Sequence, residues 1–112
     1  MKVDIAARPA AGGTILDITG DIDLAHSPAV RKALLQEIKE KKTPKVYLNL
    51  EKVRYIDSSG IASLVEGLKA SRDLGSRLVL YGLSKSVREV MELSRLQKIF
   101  EIHENEAQAT AS

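Results

Sequence analysis

Residues 55–64, YIDSSGIASL, join two different hydrophobic periods. Upstream, in KVYLNL, Val46, Leu48 and Leu50 alternate with Tyr47 and Asn49, the two-residue period of a strand. Downstream, Ile61, Leu64, Val65 and Leu68 recur at i, i+3, i+4 and i+7, the apolar face of a buried helix. A strand that passes almost directly into a helix limits the chain to architectures in which helices cover a sheet.

The same alternation of periods runs through the sequence. KVDIAA reads as a first strand, ARPAAGG as a turn with Pro9, Gly12 and Gly13 as breakers, and Thr14 to Thr19 as a second strand. The short connection predicts an antiparallel hairpin. Ser27 is a suitable N-cap with Pro28 at the first helical position, and Val30, Leu34, Leu35 and Ile38 form the stripe of a first helix. Thr43-Pro44 ends it. Gly75 is a suitable cap at the end of the second helix, and RLVLYG is a fourth strand. Ser84 or Ser86 opens a third helix, Ser86 and Glu89 having capping-box spacing, with Val87, Val90, Met91 and Leu93 facing inward. KIFEIH is a short last strand, and ENEAQATAS is a short helix or a frayed tail. The order β-β-α-β-α-β-α-β predicts one α/β domain over residues 1–112. Its sheet is mixed and mostly parallel, with right-handed crossovers and an N-terminal antiparallel hairpin.

Functional sites in such sheets lie beyond the carboxyl ends of the parallel strands. GDID, carrying Asp21 and Asp23, and DSSG, at residues 57–60, both fall at such ends and are brought near one another. One of Asp57, Ser58 and Ser59 caps the second helix, whose exposed N–H groups favour an anion. Gly60 would let another surface or a phosphate approach the backbone. Phosphate on a serine here gains roughly 0.3 to 1 kcal/mol from the helix end, about 2 if partly buried. It adds about −1.5 to −2 charges beside three aspartates. Unit charges ~6 Å apart repel by roughly 3 kcal/mol at an effective dielectric near 20. Modification at this position therefore suits a switch of binding better than a switch of folding. The residues themselves do not choose between Ser58 and Ser59. A small apolar partner surface is expected around Ile61, Ala62 and the start of the second helix.

Taken together, LDITGDIDLAHSPAVRKAL, VYLNLEKVRYIDSSGIASL and GLSKSVREVMELSRL resemble the STAS domain over about residues 14–103. The likeness is to the stand-alone bacterial anti-sigma factor antagonists. The resemblance implies a partner, an anti-sigma factor with serine kinase activity, which the unphosphorylated protein binds so that a sigma factor is released. It further implies that phosphorylation abolishes binding and that a serine phosphatase restores it. It assigns the acceptor to Ser58, with Ser59, Asp57, Asp23 and Gly60 in matching positions. STAS proteins also serve as cytosolic adaptors of lipid or solute transporters, which is the alternative.

Composition narrows the remaining choices. With 17 basic and 15 acidic residues the net charge is +2, too small to indicate direct nucleic-acid binding. The lysines at 39, 41, 42 and 45 read as a solvated helix end. Cysteine is absent, which excludes disulfides and thiol chemistry and fits the cytoplasm. No apolar run approaches the ~20 residues that span a bilayer, and the N-terminus does not read as a signal peptide. No metal site or cofactor motif is present, and there is neither a Walker A stretch nor Gly-x-Gly-x-x-Gly. The hydrolase elbow Gly-x-Ser-x-Gly fails because Ile56 replaces its first glycine, and His26 and His103 read as surface residues. The expected protein is a binding module and not an enzyme.

Overall fold

The computed structural model describes residues 3–112. Five strands form one sheet: β1 (Asp4–Ala10), β2 (Gly13–Ile22), β3 (Lys45–Ile56), β4 (Arg77–Tyr81) and β5 (Glu101–His103). Their spatial order follows the sequence, β1-β2-β3-β4-β5. The β1–β2 pair is antiparallel and every other pair is parallel, as the sequence predicts. The helices are α1 (Ser27–Leu35), α2 (Ser58–Leu74), α3 (Lys85–Leu93) and α4 (Glu106–Ala111).

One face of the sheet carries the main core. Leu16, Ile18, Leu48 and Leu80 meet Val30 and Leu34 of α1, Leu64 and Leu68 of α2, and Val87 and Met91 of α3. Gly67 lets α1 pack closely on α2: a Cβ there would lie 2.9 Å from Leu34 Cδ1, and that side chain would have to shift. Among the described elements, α4 covers the opposite face, where Ala109 joins Ile15, Tyr47, Val79 and Tyr81 in a smaller cluster. Arg8 ties that cover down, donating to Asp17 Oδ2 at 2.6 Å and to Glu106 Oε1 at 2.6 Å. Tyr81 also donates to Glu106 Oε1, at 3.1 Å.

Several boundaries differ from the sequence expectation, each for a local reason. β1 runs through Pro9 to Ala10, because an edge strand tolerates a residue without an N–H, and the turn shrinks to Ala11-Gly12. Lys2 of the expected strand lies outside the described residues. His26 occupies the N-cap of α1 in place of Ser27, which is buried, so Pro28 moves one position into the helix. The carbonyl of Asp23 accepts from the amides of His26 and Ser27 at 3.1 and 2.7 Å, which removes the need for a side-chain cap. After α1 the chain widens into a π-helical turn, Gln36–Glu40. There the buried Glu37 accepts from Lys41 Nζ and Thr43 Oγ1, both at 2.9 Å. Ser84, not Ser86, caps α3 by accepting from Val87 N. Leu93, expected inside, is 85% exposed, because α3 turns its last residue past the edge of the core. Of KIFEIH only Glu101–His103 is strand, and the tail is helical as α4, capped by Asn105.

Candidate functional site

The site stands on a two-stranded projection of the sheet. Among the described residues, β3 pairs with β4 as far as Asn49↔Tyr81, and β2 with β1 as far as Thr19↔Asp4. The β2–β3 ladder continues past both, through Asp21↔Tyr55 to Ile22↔Ile56. GDID and DSSG therefore meet at the carboxyl ends of adjacent parallel strands. The amide of Asp57 donates to the Ile22 carbonyl at 3.3 Å.

Asp57 is the cap of α2. Its Oδ1 accepts from Ser59 N and Gly60 N, each at 3.0 Å, and from the Ser59 hydroxyl at 2.5 Å. Its Oδ2 accepts from the amide of Leu24 at 3.1 Å. One carboxylate thus holds both the helix entrance and the loop after β2. Asp57 is held below the ordinary carboxylate range first by the Ser59 hydroxyl. Partial desolvation opposes this, and the N–H groups of Gly60, Ser59 and Leu24 reinforce it. Asp23 is also depressed. Desolvation again works against the shift, and hydrogen bonds from the His26 ring and amide outweigh it. His26 Nδ1 lies 2.7 Å from Asp23 Oδ1, so His26 is a half-buried member of this loop and not a bystander at the surface.

The two serines are unlike. Ser58 is exposed, and its hydroxyl makes no hydrogen bond to any described residue. Ser59 is half-buried and its hydroxyl is committed to Asp57. Asp21 is half-buried, opposite Tyr55 across the β2–β3 ladder.

Two sequence expectations need correction. Gly60 does not leave room for an approaching surface. It is buried, and a Cβ on it would lie 2.3 Å from the Ile22 carbonyl oxygen and 2.6 Å from Ile56 Cγ1. The glycine lets α2 start tight against the strand ends. Ile61 is 5% exposed and belongs to the core, because it begins the inward stripe of α2. Ala62 is exposed. The large apolar side chains that do reach solvent near Ser58 are Leu24, 75% exposed, and Tyr55, 50% exposed. Sequence reasoning missed both. Tyr55 sits in an apolar alternation, and Leu24 in a loop where no period assigns a face.

Cavities of 300, 330 and 220 Å³ lie elsewhere in the fold and none includes Ser58. Among the described residues no group of His, Asp and Glu could hold a metal ion, and no helix is long and apolar enough to cross a membrane. Fold and geometry together define a small α/β domain with an exposed serine at a helix entrance. The chain belongs to the STAS domain family, whose model matches residues 2–109. The anti-sigma-B factor antagonist of Listeria monocytogenes is 35% identical over 86 residues, covering 76% of this chain and 74% of the relative. A solved anti-sigma-factor antagonist (STAS) domain protein from Planctomyces limnophilus superposes with a TM-score of 0.86. It is 20% identical, with 96% of each chain covered. The Bacillus cell fate determinant SpoIIAA, solved in its phosphorylated form, gives 0.71 at 18% identity, covering 95% of this chain and 96% of that one.

Proposed function

We propose that this protein is an anti-sigma factor antagonist whose partner binding is switched by phosphorylation of Ser58. In its unphosphorylated form it binds an anti-sigma factor that is also a serine kinase and so releases a sigma factor. The kinase modifies Ser58, the phospho-form dissociates, and a serine phosphatase returns it to the binding state. The protein catalyses none of these steps and works in the cytoplasm.

The observation that carries this reading is the contrast between the two serines. A kinase must reach a hydroxyl and bring it in line with a nucleotide phosphate. The Ser58 hydroxyl is exposed, whereas using Ser59 would first break its bond to Asp57. Family membership and relatives named as anti-sigma factor antagonists support the same role.

The carboxylates of Asp23 and Asp57 make the surroundings of Ser58 anionic at neutral pH. A phosphate there adds like charge and a hydration shell to a surface that a partner must cover closely. Each ~1.4 kcal/mol of that penalty is a tenfold loss of affinity.

The test is mass spectrometry of the peptide spanning Tyr55 to Lys69, from protein purified out of its own cells. Phosphate on Ser58 is the expected result. Absence of phosphate in every growth phase, with a transporter ATPase co-purifying, would overturn the reading in favour of an adaptor role.

A further inference from the structure

The exposed large apolar side chains among the described residues are Leu24, Tyr55, Leu74, Leu93 and Ile99. Leu74 and Leu93 end α2 and α3, and the Ile99 carbonyl accepts from Arg72 of the last turn of α2. These three therefore lie at the end of the sheet away from Ser58. Leu24 and Tyr55 lie at the Ser58 end. Isolated apolar side chains on a surface are ordinary. Leu24 differs in how its backbone is held.

Its amide is fixed by Asp57 Oδ2 at 3.1 Å. The turn that follows is closed by Asp23, whose Oδ1 accepts from His26 N at 3.0 Å and whose carbonyl accepts from Ser27 N at 2.7 Å. A side chain that is 75% exposed thus projects from a backbone pinned on both sides. A partner that covers it does not have to order a mobile loop first, which is a main cost of association. Ala62, one helical turn beyond Ser58, is exposed and adds no bulk beside it. Asp57, which accepts from the Leu24 amide, and the adjacent Asp23 put acidic groups beside this apolar point, and Asp21 lies opposite Tyr55 in the ladder.

We propose that Leu24 is the apolar anchor of the docking surface, with Tyr55 as a second contact. Its occupant is the kinase partner itself, which offers an apolar pocket rimmed by Lys or Arg side chains matched to the three aspartates. The proposal rests on the function given above and identifies the side chains that would carry the affinity. Leu24 and the first turn of α2 are held by opposite oxygens of the same carboxylate, so anchor and acceptor serine share one rigid support. An anchor contributes most when the ring of contacts around it excludes water. Phosphate on Ser58 would bring a charge with its own hydration shell into that ring. The cations of the rim are already matched to Asp21, Asp23 and Asp57, which explains release without any change of fold.

The experiment is titration calorimetry of purified protein against each purified serine-kinase anti-sigma factor of the source organism, loaded with ADP. Wild type, L24A, L24M, Y55A and S58D are compared, with thermal midpoints recorded for each. L24A is expected to bind at least about tenfold more weakly, with a nearly unchanged midpoint because the side chain is 75% exposed. L24M is expected to stay within about threefold of wild type, since the pocket accepts a flexible side chain of similar volume. L24A binding within about twofold of wild type while S58D loses binding would overturn the anchor and leave the phosphorylation switch standing. Wild type binding none of these kinases would overturn both.

Discussion

The carbonyl oxygen of Ile22 occupies the space that a Cβ on residue 60 would need, 2.3 Å from its ideal position. The end of β2 and the start of α2 are therefore in contact backbone to backbone. G60A must push α2 off the strand ends, displacing Asp57 from its hydrogen bonds to Ser59, Gly60 and Leu24. A loss of about 1 to 3 kcal/mol is expected, the usual cost of overpacking. Urea unfolding followed by circular dichroism measures it.

The serines separate in a stability assay as well as by accessibility. S59A removes a donor to Asp57 and should cost about 1 kcal/mol. S58A removes an exposed hydroxyl and should stay within about 0.5 kcal/mol of wild type. With a kinase that acts on the protein, S59A should still incorporate phosphate and S58A should not. Thermal melts together with intact-mass spectra read both effects.

Replacing Asp57 tests whether cap and loop are one device. D57A removes the acceptor for two amides of α2, a loss of about 0.5 to 2 kcal/mol. It also frees the Leu24 amide, 33 residues away in sequence. Hydrogen exchange should speed up at Leu24 as well as at Ser59 and Gly60. Faster exchange confined to α2 would show that the loop is held by other means.

Acid should weaken the opposite edge of the sheet. Glu101 pairs with Arg77, which brings its carboxyl from 4.5 down to about 2. Desolvation acts against the shift, and His103 adds to it. A carboxylate depressed on folding contributes its stability above its unfolded value and loses it as the pH falls through the folded one. The contribution is complete above about pH 4.5 and disappears towards pH 2. The side chains are 46% and 32% exposed, so screening limits it to about 1 kcal/mol or less. E101Q should lower the urea midpoint at pH 7, and the difference from wild type should shrink as the pH falls through about 2.

Much of the architecture was legible because period and punctuation agree. The hairpin, the three parallel crossovers and the Gly75 cap each rest on a local signal, and each is present in the structure. Legibility failed where tertiary packing chose between equivalent local options. Ser86 with Glu89 has better capping spacing than Ser84, but Ser84 also reaches the Val53 carbonyl, a contact no local pattern announces. Leu93 fits the stripe of α3 and still faces solvent, because the core ends before the helix does. At the site, the meeting of GDID with DSSG followed from topology. The division of labour between Ser58 and Ser59 did not, since it depends on which way each hydroxyl points. Gly60 was noticed as a site of close approach, but the approaching group is the protein's own β2.

The order of strands in the sheet has a consequence for how the molecule is made. Each strand lies beside the one synthesised just before it, so each pairing needs only the next strand and the connection that leads to it. The hydrogen bonds that shape the Ser58 surface, from the Asp23 turn to the Ser63 hydroxyl on the Ser27 carbonyl, all fall within the first 63 residues. On the ribosome, where domains form from the N-terminus as the chain emerges, these bonds have their partners before α3, β5 and α4 exist. Those later elements complete the outer edge and cover the second face of the sheet, and the cap of α3 reaches the β2–β3 projection through the Ser84 hydroxyl on the Val53 carbonyl.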